Sequence, residues 1–158
     1  MSYASSRNPV QFIDVPVHLL DGSNKEIVDY LRASHVRYLD CDIPKIEQQF
    51  LGLIKLYPNS PALTVVFNLF QKFSLEMQWH MKHEEQVLYP HVLTGNLDVN
   101  THVISHEDQE PFLTEVIQLL RSGRYAKNPF GSLLIGSLER FEEELRLHAW
   151  VEEHLLGL

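Results

Sequence analysis

The chain has 158 residues and a hydrophobic fraction of 44%, enough for one domain with a buried core. Its net charge of −8 argues against nucleic acid and against anionic membrane surfaces, because both attract basic patches. No apolar run approaches the roughly 20 residues that cross a bilayer, the N-terminal segment lacks a signal-peptide core, and Cys41 is the single cysteine. We therefore expect a cytoplasmic protein that binds neither nucleic acid nor membrane.

The first 22 residues differ from the rest of the chain. They contain Pro9, Pro16 and Gly22, which disfavour a long helix. We predict an extended N-terminal arm over residues 1–22, whose apolar side chains lie across the core. The remaining residues, 23–158, form the predicted folded unit.

Helix start and stop signals divide that unit into four segments. Ser23 with Glu26 fits a capping box, and Pro44 is expected to kink or split the helix that follows. The predicted helices run from about 24 to 56, from 61 to about 93, from Asn100 or Thr101 to Gly123, and from 129 almost to Leu158. Four helices with short connections predict an all-α, up-down-up-down four-helix bundle.

Histidine is abundant, with nine in the chain, and three histidines precede a glutamate by four residues. This spacing places both side chains on one helix face, where they could bind one metal ion. The pairs are His80–Glu84, His106–Glu110 and His148–Glu152. A solvated ion pair on a helix surface is the alternative for each of them.

Two of the pairs interrupt apolar stripes that should face the core. On the second helix the stripe is Phe73, Met77, His80, Glu84 and Leu88; on the fourth it is Leu138, Phe141, Leu145, His148, Glu152 and Leu155. A buried carboxylate is costly unless it is paired or metal-bound, and two would repel each other. His83 and Glu85, by contrast, fall at the edge of the stripe or off it, and we expect them at the rim or the surface.

The first and third helices add further histidines. His102 and His106 share a stripe on the third helix, whereas His35 is alone on the first. A lone histidine on an apolar face is more often a core or rim residue than a ligand. Nitrogen and carboxylate donors without cysteine suit iron or manganese, and zinc is not excluded. Trp79 and Trp150, each near a proposed ligand, are interpreted as core packing.

Four segments resemble the hemerythrin-like family of four-helix di-iron proteins. They are "SHVRYLDCDIP", "HMKHEEQVLYP", "SHEDQEPFL" and "HAWVEEHLL". The pattern is most similar to the iron–sulfur cluster repair proteins of that family. Carried over, the resemblance implies two iron ions held by His35, His80, Glu84, His106, His148 and Glu152. His102, four residues before His106, instead resembles oxygen-carrying hemerythrins, so we include it as a candidate ligand.

The resemblance implies a non-haem di-iron protein that binds or reduces O2, peroxide or nitric oxide. Nitrosative or oxidative stress response and iron–sulfur cluster repair are the corresponding roles. The alternatives are hemerythrin-type O2 binding and an iron- or oxygen-sensing module without catalysis. The sequence leaves open whether the chain turns over a substrate and whether it is a monomer or a dimer.

Overall fold

The computed structural model describes residues 15–95 and 110–158. Within these ranges the chain is helical and contains no strand. The elements are α1 (Val17–Leu20), α2 (Asn24–Arg37), a π-helical turn (Tyr38–Asp42), α3 (Ile43–Leu56), α4 (Pro61–His83), a second π-helical turn (Glu84–Leu88), α5 (Tyr89–Thr94), α6 (Glu110–Ser122), a 3₁₀ turn (Arg124–Lys127) and α7 (Pro129–Leu155). The rods α2–α3, α4–α5, α6 and α7 are the four helices of the bundle, which confirms the predicted all-α class.

The helix ends follow the capping residues in the sequence. The Ser23 hydroxyl accepts the backbone N–H of Glu26 at 3.2 Å, and the Asn128 side chain accepts that of Phe130 at 2.9 Å. Gly95 ends α5 with a φ of 72°, a left-handed conformation that favours glycine. The predicted helix boundaries at these residues are confirmed. The predicted start of the third helix, at Asn100 or Thr101, lies outside the described residues.

Each of the first two rods is widened by a π-helical turn just before a proline. The backbone N–H of Ile43 donates to the Tyr38 carbonyl, and that of Tyr89 donates to the Glu84 carbonyl. A proline has no N–H to donate, so the regular hydrogen-bond ladder is interrupted near it. The break expected at Pro44 is therefore a π-helical turn. The predicted second helix, from 61 to about 93, is likewise one continuous rod that contains a π-helical turn before Pro90.

The buried apolar residues form two clusters along the bundle axis. One contains Phe50, Phe70 and Leu134, and the other contains Leu31 and Val151. In each of three rods, α2–α3, α4–α5 and α7, one end contributes to the first cluster and the other end to the second. The polar groups described below lie at the boundary between the clusters, so apolar residues pack on both sides of them.

The described end of the predicted arm belongs to the second cluster. Val15 and Leu19 are buried there beside Ile27. This part of the arm includes one helical turn, α1. Residues 1–14 lie outside the described part of the chain, and the boundary at residue 22 stays a prediction. Among the described helices, none has the length and apolarity needed to cross a membrane.

Candidate metal centre

Three rods of the bundle bring five polar side chains to the boundary between the two apolar clusters. His35 comes from the last turn of α2, His80 from the last turn of α4, Glu84 from the following π-helical turn, and His148 and Glu152 from α7. Each is buried, with at most 5% of its surface exposed. Val36, next to His35, is 58% exposed, so the first helix points His35 inward and its neighbour outward.

The donor atoms of these side chains lie close enough to share ions. One ligand atom each from His35, Glu84, His148 and Glu152 falls within 4.8 Å of the others. His80 Nε2 lies 2.9 Å from Glu84 Oε1, and His148 Nε2 lies 2.5 Å from Glu152 Oε1. Glu84 Oε2 is 3.8 Å from His148 Nε2, so the carboxylate from α4 reaches the pair on α7. The two His–Glu pairs therefore form one cluster.

His35 joins the two pairs from the side of α2. Its Nε2 lies 3.1 Å from His148 Nε2 and 3.9 Å from Glu84 Oε1. Two imidazole nitrogens that face each other with a carboxylate beside them are an arrangement that a cation would stabilise. The lone histidine of the first helix is thus part of the cluster, an outcome that its position on an apolar face had left open.

Two further side chains contact the cluster from outside. His35 Nδ1 donates to Glu85 Oε1 at 3.0 Å, which leaves Nε2 facing the centre. The Glu85 side chain is 39% exposed and lies at the rim, as expected, but its contact with His35 was not predicted. The Tyr89 hydroxyl donates to Glu84 Oε2 at 3.1 Å and lies 3.4 Å from His35 Nε2. Sequence reasoning gave Tyr89 no role either.

The protonation of the cluster follows from burial and mutual contact. Burial raises the pKa of Glu152 to about 8, and its hydrogen bond to Glu84 adds to the shift. Burial would also raise the pKa of Glu84, but hydrogen bonds from Glu152, His148 and His80 hold it well below its usual value. Glu84 is therefore ionised while Glu152 keeps a proton, which is how two adjacent carboxyls avoid repulsion.

The pKa values of His35 and His148 are shifted in opposite directions. Burial and the nearby charge of His148 lower the pKa of His35 to about 4. For His148, burial acts to lower the pKa, but hydrogen bonds to Glu152 and Glu84 outweigh it and raise the pKa to about 9. Burial and the charges of Glu152 and Glu84 raise the pKa of Tyr89, so its hydroxyl remains a donor at neutral pH.

Other candidate residues from the sequence lie elsewhere. His102, His106 and the side chain of Glu110 fall outside the described part of the structure. Trp79 does not pack in the core: it is 67% exposed, and its ring stacks on that of His83, because residue 79 lies on the opposite helix face from the Met77–His80 stripe. Trp150 is partly buried against the second apolar cluster.

The donor set suits a metal ion. Two carboxylates and three imidazoles converge in a nearly dry site. Nitrogen and oxygen donors without thiolate fit divalent first-row metals. Nδ1 of His148 has no hydrogen-bond partner among the described residues, while Nε2 points toward the cluster.

A family model for the hemerythrin HHE cation-binding domain matches residues 15–157. The chain belongs to this family. No curated protein and no solved structure matched the chain. Membership of a cation-binding family and the buried His/Glu cluster point independently to the same property, the binding of metal cations.

A small cavity adjoins the cluster in this hemerythrin-type bundle. Its volume is about 30 Å³, and His80, Glu84 and His148 are among the residues that line it. The rest of the lining is mostly apolar, with the Glu142–Arg146 ion pair as its charged part, and the apolar residues are Met77, Met81, Leu113, Leu145 and Ala149. A space of this size holds one or two water-sized molecules.

Proposed function

We propose that the protein is a non-haem di-iron protein that binds or reduces a small oxidant, namely O2, peroxide or nitric oxide. The observation that carries the proposal is the convergence of two His–Glu pairs and His35 in one buried cluster. One metal ion would leave part of this donor set unused, since it offers two carboxylates and three imidazoles before any ligand from the third helix is added.

In the proposed centre, Glu84 and Glu152 would be the carboxylate ligands that hold the two irons. Their negative charges balance part of the metal charge, and their 1% exposure keeps water from competing for the same positions. His35, His80 and His148 supply nitrogen donors, and His106 and His102 are the candidates from the third helix. Iron at this centre would supply the electrons or the open coordination position that the oxidant requires.

The cavity beside the cluster supports a small, uncharged ligand. Its volume of about 30 Å³ excludes organic substrates of ordinary size. The apolar side chains from α4, α6 and α7 that make up most of its surface suit a diatomic molecule, and the one arginine that lines the cavity, Arg146, is paired with Glu142. Manganese or zinc is a less favoured occupant: zinc has no redox chemistry, and the resemblance to the di-iron proteins favours iron over manganese.

The proposed role is a response to nitrosative or oxidative stress, with repair of iron–sulfur clusters as its specific form, and the proposed location is the cytoplasm. The four-residue spacing of His148 and Glu152 supports this choice, since it resembles the repair proteins more than the oxygen carriers.

Metal content and optical spectra test the proposal directly. Protein produced with ample iron should contain about two irons per chain, and its anaerobic spectrum should change on adding O2 or nitric oxide. Glu152→Ala should lose iron, whereas Glu153→Ala, an exposed neighbour on the same helix, should keep it. Wild-type protein without stoichiometric iron, or iron that gives no spectral response to either gas, would contradict the proposal.

A further inference from the structure

Tyr89 is a fully buried tyrosine whose hydroxyl contacts two of the proposed ligands. It donates to Glu84 Oε2 at 3.1 Å and lies 3.4 Å from His35 Nε2. Its ring also stacks on the His35 imidazole, with centroids 5.8 Å apart and an interplanar angle of 19°. We propose that Tyr89 is a positioning residue of the metal centre, which fixes the orientation of the Glu84 carboxylate and of the His35 ring. The inference rests on the proposed metal-binding function.

The π-helical turn is what brings Tyr89 to this position. In a regular α-helix, a residue five positions after Glu84 lies about 140° around the axis from it. Here the Tyr89 N–H donates to the Glu84 carbonyl, so Tyr89 lies about one turn above Glu84 on the same side of the helix. The extra residue in the turn therefore places the phenol over the carboxylate. Such turns are frequent at functional sites.

The hydroxyl group of Tyr89 can orient the Glu84 carboxylate, which its ring alone could not do. A phenylalanine would fill the same apolar space, whereas a buried hydroxyl is costly unless it has a hydrogen-bond partner. The partner is the oxygen of Glu84 that faces His148, while the other oxygen faces His80. Because that oxygen is held, the carboxylate is already oriented between the two His–Glu pairs before an ion binds. Less conformational entropy is therefore lost on binding.

Tyr38 provides a matched control within the same bundle. It is also buried, at 1% exposure, and its ring packs edge-on against His148 at 5.8 Å. Its hydroxyl, however, donates to the backbone carbonyl of Glu144 at 3.1 Å and not to a ligand. Tyr38→Phe and Tyr89→Phe thus each remove one buried hydroxyl beside a histidine ring, but only the second removes a hydrogen bond from a carboxylate of the cluster.

The test compares Fe(II) affinity and Co(II) absorption in wild type and both variants. Fe(II) dissociation constants are measured anaerobically by competition with a coloured chelator, and the visible spectrum of Co(II) reports the geometry of its ligands. We expect Tyr89→Phe to weaken Fe(II) binding about 10- to 100-fold and to shift the Co(II) bands, as loss of an outer hydrogen bond does at other metal sites. Tyr38→Phe should leave both readouts close to wild type.

Thermal melts of the metal-free proteins separate positioning from folding. A positioning role predicts that both variants melt at similar temperatures without metal and differ in metal binding. If Tyr89→Phe binds Fe(II) like wild type, or if Tyr38→Phe weakens binding equally, the positioning role is overturned while metal binding stands. If wild type binds neither Fe(II) nor Co(II), the proposed function and this inference both fail.

Discussion

Replacing Glu84 by glutamine changes the centre without changing its shape. Glu84 is 1% exposed and contacts His80, His148 and the Tyr89 hydroxyl. A glutamine has the same volume, and its carbonyl oxygen can still accept the Tyr89 hydrogen bond. Glu84→Gln removes the ionised carboxylate that faces His148 and accepts the proton of Glu152, so the metal-free protein should lose some stability. The larger expected loss lies in the metal-dependent part of the stability, because a neutral amide binds cations poorly.

The size of the effect follows from binding linkage. One ion present at 100 times its dissociation constant stabilises the folded state by about 2.7 kcal/mol. For a chain of this length, each kcal/mol moves the melting temperature by about 2–4 °C, which gives about 5–11 °C per ion. Two ions double that figure. Since Glu84 contributes to both His–Glu pairs, Glu84→Gln should lose most of the metal-dependent shift.

Differential scanning calorimetry with and without Fe(II), under anaerobic conditions, measures the melting temperature of the metal-free protein and its metal-dependent shift. Glu153→Gln is the control, since that side chain is exposed on α7 one residue after a proposed ligand; its metal-dependent shift should match wild type. A full metal-dependent shift in Glu84→Gln would refute the reasoning, because Glu84 would then be no ligand.

The remaining predictions concern pH and packing. The pKa of Glu152 is raised from 4.5 to about 8 and that of His148 from 6.5 to about 9, so the stabilisation linked to Glu152 is lost from about pH 4.5 to 8 and that linked to His148 from about pH 6.5 to 9. Both losses contribute from about pH 6.5 to 8, and that of His148 continues to about pH 9. Melting temperatures across that range should fall without metal, and metal uptake at pH 7 should release protons into weak buffer; a flat profile with no release would contradict these shifts. Gly131→Ala places a methyl group 1.9 Å from the Tyr125 carbonyl oxygen and should destabilise by about 1–3 kcal/mol or more in urea unfolding. Gly136→Ala, with 3.6 Å to the nearest side chain, should instead gain up to about 1 kcal/mol, and equal losses in both would show that the contact at Gly131 does not matter.

Several features of the bundle could be predicted from the sequence because they depend on local spacing. The capping residues Ser23 and Asn128 gave helix starts that the structure confirms. The His–Glu pairs could be placed on inward faces because four residues complete about one α-helical turn. Both pairs are buried, as the stripes predicted.

The contacts of Glu85 and Tyr89 could not be predicted in this way. Periodicity assumes a constant rotation per residue, and the π-helical turn before Pro90 breaks that assumption. Five-residue spacing from Glu84 to Tyr89 carries no signal in an α-helical pattern. The one available hint was the proline itself, which indicated an irregular turn but not which side chains it would reorient.

The four-helix class, the inward direction of two His–Glu pairs and the resemblance to a cation-binding family could be inferred from residues close together in the chain. The contact of His35 with His148, 113 residues away, and the union of the two pairs in one cluster follow from the packing of the helices. Those distances depend on how the helices pack, and packing is set by the two apolar clusters acting together. No local pattern encodes the 3.1 Å between His35 and His148.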